Sequence, residues 1–194
     1  MGVPQITALK ETIRAAKPSK IPVIADGGIR FSGDLTKALA SGASSVMMGS
    51  LFAATDESPG RIITLRKHQV PQRYQSVFNH QEKAKFKEYR GMGSEGAMKT
   101  GAKIKSEGEF HNKEYKKNAA MIAEGIEGMV PAQGHLKEFV EQMIGGLRSG
   151  MYYVGAKSIP ELWQKARFIQ ITQASLQESH PHDVFITDAG KNYH

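Results

Sequence analysis

A chain of 194 residues, 40% hydrophobic and 23% charged, is long enough for one domain with a packed core, and its lack of cysteine excludes disulfides, thiolate zinc sites and a nucleophilic cysteine within these residues. No apolar run nears the roughly 20 residues that span a bilayer, and Met1-Gly2-Val3-Pro4 begins neither a basic nor an apolar leader region, so a soluble, cytoplasmic protein is expected. The net charge of +7 favours an anionic partner, phosphate before nucleic acid, since no stripe of interleaved aromatic and basic residues accompanies it.

Residues 5 to 17 are expected to form a helix, with Ile6, Leu9, Ile13 and Ala16 at helical spacing and Lys17-Pro18 ending the run. Ile21 to Ala25 is a short apolar stretch with Pro22 near its start and Asp26-Gly27-Gly28 at its end, the pattern of a buried parallel strand feeding a loop. Ser32 and Asp34 can open the next helix, which would turn Leu35, Ala38 and Leu39 inward and close at Gly42. Ser45 to Met48 is a second short apolar strand, running straight into Gly49-Ser50. Strand, helix and strand within about thirty residues make a βαβ unit. Ligands of such units sit at the carboxyl ends of the strands, which puts Asp26-Gly27-Gly28 and Gly49-Ser50 side by side on one face.

From about 91 to 133 the pattern dissolves into Gly, Lys, Glu and Ser, too long for an ordinary connection and suited to a lid. Order returns at Leu136, where Leu136, Phe139, Val140, Met143, Ile144 and Leu147 share a helical face, and again at 158 to 168. There Ser158 and Glu161 have capping-box spacing and Pro160 falls in the first turn, where its missing N–H is not needed. The tail from 177 onward is polar and irregular.

Glycines at a strand's end let backbone N–H groups approach a phosphate, and a carboxylate beside them can accept hydrogen bonds from ribose hydroxyls. On that reading Asp26 holds sugar while Gly49 and Ser50 hold phosphate; Asp26-Gly27-Gly28 is equally a simple turn after a buried strand, and the residues alone leave both open. Gly91-Met92-Gly93-Ser94-Glu95-Gly96 satisfies G-x-G-x-x-G, but no strand is evident before it, so a Rossmann reading is set aside. His180-Pro181-His182-Asp183 lacks a clear transition-metal ligand set, and Lys113, Lys116 and Lys117 read as a solvated lid face.

The strings Ile24-Ala25-Asp26-Gly27-Gly28-Ile29, Met47-Met48-Gly49-Ser50-Leu51 and Tyr89-Arg90-Gly91-Met92-Gly93-Ser94, in that order along the chain, together resemble the IMP dehydrogenase and GMP reductase family. The first two are similar to its seventh and eighth barrel strands, and the third to the nucleotide-binding segment that follows. Gly2-Val3-Pro4-Gln5, Glu124-Gly125-Ile126-Glu127-Gly128 and Gly145-Gly146-Leu147-Arg148-Ser149 also match, in the family's order. The resemblance implies an α/β fold, a partial (β/α)8 TIM barrel holding the last two strands with their helices. Its parts would be a βαβ nucleotide unit over 1–60, a flap over 89–133, and closing helices with a C-terminal cation-site tail over 134–194.

It further implies that Asp26 binds the ribose, Gly28, Gly49, Ser50 and Tyr89 the 5'-phosphate, and Met92, Gly93, Glu124 and Gly125 the purine of IMP. Glu178, Ser179 and His180 match the segment that helps bind a monovalent cation, usually potassium, across a subunit boundary. The family's dehydrogenase converts IMP to XMP in guanine nucleotide synthesis through a cysteine, NAD and water, as a tetramer. That cysteine is expected just upstream of Gly2, so the chain alone is expected to be inactive, with the first six strands supplied in cis or in trans. The dehydrogenase's flap Arg-Tyr pair is also missing: residues 91 to 133 hold no arginine, and Tyr115 follows Glu114. A GMP reductase, which lacks the pair and carries a Glu resembling Glu95, and a non-catalytic nucleotide-binding partial barrel are the alternatives.

Overall fold

The computed structural model describes residues 2–78, 81–107 and 125–179, with 102–107 by backbone alone. Their arrangement is α/β, and the chain divides into two units, Met1–Gly49 with Lys137–His194, and Ser50–Leu136.

In the first unit, α1 (Gln5–Ala16) forms where the apolar spacing predicts, and Lys17–Ser19 tightens into a 3-10 turn around Pro18. Strand β1 (Ile24–Asp26) starts later than expected. Pro22 has no N–H to give a ladder, so pairing begins beyond it. Helix α2 (Ser32–Ala40) opens with Asp34 Oδ2 accepting the backbone N–H groups of Arg30 and Phe31 at 3.1 and 3.2 Å. Burial pushes the Asp34 carboxyl up, but Lys37 and those two N–H groups outweigh it and hold it below its ordinary value.

Strand β2 (Ser45–Met47) lies parallel to β1, with Ile24 opposite Ser45, Ala25 opposite Val46 and Asp26 opposite Met47. Leu9, Ala25, Ala38 and Ala43 form the core beneath them, flanked by Ile13, Val23, Ile29 and Val46. Gly42 closes α2 at φ 107, and a Cβ there would stand 3.2 Å from Ile13. The expected burial of the strands holds for Ala25 but not for Ile24, which is 53% exposed, or Met47, which is 49% exposed. Each strand has a single neighbour among the described residues, whereas a parallel sheet is normally covered on both faces.

Helix α5 (Leu136–Val154) buries Phe139 and Met143 from its predicted face, while Ile144 is 40% exposed. Its glycines serve close approach. A Cβ on Gly146 would overlap Ser32 of α2, and one on Gly150 would stand 2.6 Å from Thr36 Cγ2. Helix α6 (Ile159–Lys165) is shorter than predicted but capped as expected, Ser158 Oγ accepting the Glu161 N–H at 3.3 Å. The last described helix of the unit is the short α7 (Gln173–Glu178), whose end at Gln177 and Glu178 overlaps the tail expected to be irregular from 177 onward.

The second unit opens with the short α3 (Ser50–Ala53) and is built on an antiparallel sheet that sequence reading left unassigned. Its order is β3 (Ile62–Arg66), β4 (Lys83–Arg90) and β5 (Glu127–Pro131), with Phe86 opposite both Ile63 and Pro131. Between β3 and β4 the chain makes two 3-10 turns, Lys67–Gln69 and Gln72–Phe78, held down by a core of Val70, Phe78 and Phe86. Lys87 is 1% exposed, and its ammonium donates to the carbonyls of Thr55 and Asp56, which satisfies the buried charge.

The expected irregularity of 91–133 is corrected at both ends, by α4 (Glu95–Glu107) and by β5. One local cap and one tertiary partner fix the start of α4: Ser94 Oγ accepts the Ala97 N–H at 3.3 Å, and Glu127 Oε1 accepts the Gly96 N–H at 2.8 Å. Among the described residues no helix is long and apolar enough to cross a membrane.

Candidate functional site

In the first unit, register places Asp26 across from Met47, so the loop Gly27-Gly28 and the residues Met48-Gly49 leave the same end of the parallel pair. Gly27 and Gly28 have φ 88 and 76, a left-handed pair that side-chain-bearing residues rarely adopt, and a Cβ on either would meet nothing within 4 Å. Glycine is therefore needed there for backbone shape, and the space beside it is open. Gln5 Nε2 donates to the Asp26 carbonyl at 3.0 Å, tying α1 to the strand end, while Asp26 itself is exposed. Gly49 is exposed, and Ser50, next in the chain, is the exposed first residue of α3.

In the second unit, Tyr89 lies in β4 opposite Gly128 of β5. Beyond β4 the segment Gly91–Ser94 folds onto Gly125-Ile126: the Gly91 N–H reaches the Ile126 carbonyl at 2.9 Å, and the Gly125 N–H reaches the Gly93 carbonyl at 2.9 Å. A Cβ on Gly125 would stand 2.5 Å from the Ser94 nitrogen and 2.7 Å from the Gly93 carbonyl carbon, so only glycine permits this contact. Two segments more than thirty residues apart are thus locked together, with Met92 95% exposed beside them. Next to this lock, Glu95, Gly96, Lys99, Gly125 and Glu127 line an open concavity of about 450 Å³.

The sequence profile of the IMP dehydrogenase / GMP reductase domain matches residues 1–182. The chain belongs to the IMP dehydrogenase / GMP reductase family. It is 45% identical to the inosine-5'-monophosphate dehydrogenase of Methanocaldococcus jannaschii over 195 residues, which takes in 100% of this chain and 36% of that protein. The corresponding enzyme of Chlorobaculum tepidum is 48% identical over 198 residues, 100% of this chain and 35% of the relative. Among solved structures, a Cys-to-Ala variant of Trypanosoma brucei GMP reductase in complex with guanosine 5'-monophosphate has TM-score 0.73 and 38% identity, covering 95% of this chain and 33% of its own. The chain therefore spans about a third of the length of the family members it matches.

Of the residues that family resemblance singles out, Asp26, Gly28 and Gly49 sit at one end of the β1–β2 pair, and Tyr89, Met92, Gly93 and Gly125 cluster around the β4–β5 end of the second unit. Glu178 closes α7 and Ser179 caps it, the Ser179 hydroxyl donating to the Ser175 carbonyl at 2.8 Å. Glu124, Tyr115 and His180 lie outside the described residues, as do Lys113, Lys116, Lys117, His182 and Asp183. Among the described residues no cluster of three or more His, Cys, Asp or Glu could hold a metal.

The reason given for discounting Gly91–Gly96 as a dinucleotide fingerprint is corrected: a strand, β4, does run directly into it, and α4 follows. In the sequence Lys83-Ala84-Lys85-Phe86-Lys87 alternates polar and apolar residues as a half-buried strand does, and the pattern ends only at Glu88, so this strand was legible and was missed. A Rossmann unit is still not formed, since β4 lies between antiparallel neighbours and the carboxylate of Glu127 accepts the Gly96 N–H at the start of α4. Sequence reading also missed the ion pair of Arg61 with Glu88, at 2.7 Å, and the linkage of Glu57, whose carboxylate accepts the Leu136 N–H at 2.8 Å.

Proposed function

We propose that this chain is the C-terminal portion of an IMP dehydrogenase catalytic (β/α)8 barrel, contributing its seventh and eighth strands and the surface that holds IMP. The observation that carries the reading is the left-handed Gly27-Gly28 pair with open space beside it at the strand ends. Exposure of Ile24 and Met47 supports it as well, because these side chains belong to a parallel sheet that further strands would cover. Dehydrogenase is favoured over reductase by identities of 45 to 48% with dehydrogenases, against 38% with the reductase structure.

In this reading Asp26 accepts hydrogen bonds from the ribose hydroxyls, and Gly28, Gly49, Ser50 and Tyr89 surround the 5'-phosphate. Met92, Gly93, Glu124 and Gly125 meet the purine. A carboxylate and backbone groups at the purine edge orient the base by hydrogen bonding. NAD supplies hydride acceptance in the complete enzyme, and none of the residues named here is assigned to it. The carboxylate of Glu178, the hydroxyl of Ser179 and nearby carbonyls are oxygen donors suited to a potassium ion, with His180 completing the segment. These 194 residues contain no cysteine, so the nucleophile that attacks C2 comes from outside them. A tetramer in the cytoplasm is the assembly the family resemblance implies.

The second reading, a GMP reductase, is favoured by the absence of arginine from residues 91 to 133. The test is NADH formation at saturating IMP and NAD with potassium, comparing this chain alone with the same chain joined to barrel strands that carry the cysteine loop. Turnover only in the joined protein is the expected outcome. Silence in both, with NADPH oxidation on GMP, overturns the dehydrogenase reading in favour of the reductase.

A further inference from the structure

At the far end of the β3–β4 pair, Arg66 and Lys83 are direct cross-strand partners, so two like charges stand on one face of the sheet. Such a pair is destabilising unless an anion relieves it. The chain leaves β3 into the turn Lys67–Gln69, adding Lys67 and His68 to the same corner, and the four basic residues line an open concavity of about 800 Å³. Among the described residues none of these four side chains has a hydrogen bond or ion pair, whereas Arg61, Lys87 and Lys99 of the same unit each have a partner.

The corner is held in shape. The Lys67 N–H donates to the Glu82 carbonyl at 3.1 Å, and the Gln75 amide donates to the carbonyls of Lys67 and Val70 at 3.3 and 3.2 Å. Beneath it, Phe78 and Phe86 pack with ring centroids 6.1 Å apart. The basic side chains therefore project from a pinned backbone over a small core. Among the described residues Glu82 is the one carboxylate in the lining, an acceptor rather than a phosphate ligand.

We propose that this corner is an oligophosphate-binding site, in which Arg66, Lys67, His68 and Lys83 share a ligand carrying at least two linked phosphoryl groups. Arg66 and Lys83 are adjacent across the strands while Lys67 and His68 stand in the turn that follows, so one phosphoryl group can meet the strand pair and a second, linked to it, the turn. The ligand is either a free oligophosphate or the oligophosphate tail of a nucleotide, whose sugar hydroxyls Glu82 could accept. This site is separate from the residues proposed to hold IMP and does not depend on that assignment.

The experiment is calorimetric titration of the 194-residue chain with tripolyphosphate, orthophosphate and adenosine triphosphate at about 50 mM salt, where charge attraction is little screened. Tripolyphosphate is expected to bind at least about tenfold more tightly than orthophosphate, and R66Q/K83Q to lose about tenfold or more, while R61Q retains affinity. If the double variant loses its circular dichroism signature, K67Q and H68Q, changed at exposed turn positions, are read instead and should each weaken binding severalfold. Tighter binding of adenosine triphosphate than of tripolyphosphate supports the nucleotide source, and equal binding the free chain. No tripolyphosphate binding, parity with orthophosphate, unchanged affinity in the variants, or displacement by IMP would each overturn the proposal.

Discussion

Asp26 carries the most specific residue-level claim, because its neighbours are committed elsewhere. Its carbonyl is engaged by Gln5, Gly27 and Gly28 turn the chain away at positive φ, and its carboxylate faces solvent at the strand end. Removing a charged acceptor from a bound ribose costs about 1.5 to 3 kcal/mol. Asp26→Ala in the complete barrel is therefore expected to weaken IMP binding by roughly tenfold to a hundredfold, with thermal stability little changed because the side chain is exposed and makes no hydrogen bond or ion pair among the described residues. Equal IMP affinity of variant and parent in a fluorescence titration would remove Asp26 from the site.

Among the elements, α5 shows how one sequence segment can be read correctly and still be misunderstood. Its apolar spacing predicts a helix, and Phe139 and Met143 are buried as that spacing implies. In the sequence the first two glycines of Gly145-Gly146-Leu147-Arg148-Ser149 are only part of a string that matches the family, yet they have opposite environments. A Cβ at Gly145 meets nothing within 4 Å, while one at Gly146 overlaps Ser32. Alanine is favoured over glycine in a helix by about 1 kcal/mol, whereas forcing atoms into a close helix contact costs about 1 to 3 kcal/mol. Gly145→Ala should raise the midpoint of thermal unfolding and Gly146→Ala should lower it, and shifts of the same sign would mean that α5 and α2 do not approach this closely.

For the molecule as a whole, the β1–β2 pair is the feature that asks for more protein. Ile24 and Met47 are about half exposed, and two parallel strands leave both outer edges of the pair open among the described residues. A two-stranded sheet is marginal by itself. Hydrogen exchange should find the amides of Ile24–Asp26 and Ser45–Met47 weakly protected in this chain and at least about tenfold slower once the strands bearing the cysteine loop are joined to it. Unchanged exchange in the joined protein would count against a shared barrel.

The sequence by itself determined the βαβ order, the helices α1, α2, α5 and α6, the Ser158 cap and the family, because each rests on local spacing or on strings of neighbouring residues. It located Asp26, Gly28 and Gly49 at strand ends for the same reason, since a βαβ unit fixes which ends its loops leave from. Only tertiary structure decided how the strands of the antiparallel sheet pair and what holds the Gly96 N–H at the start of α4. Lys87 is hidden by carbonyls of Thr55 and Asp56, over thirty positions away, and Gly96 is held by Glu127, so neither residue's surroundings can be read from its neighbours in the chain. The Gly93–Gly125 lock and the basic corner at Arg66 and Lys83 have the same origin: pairing across strands sets contacts that no local pattern encodes.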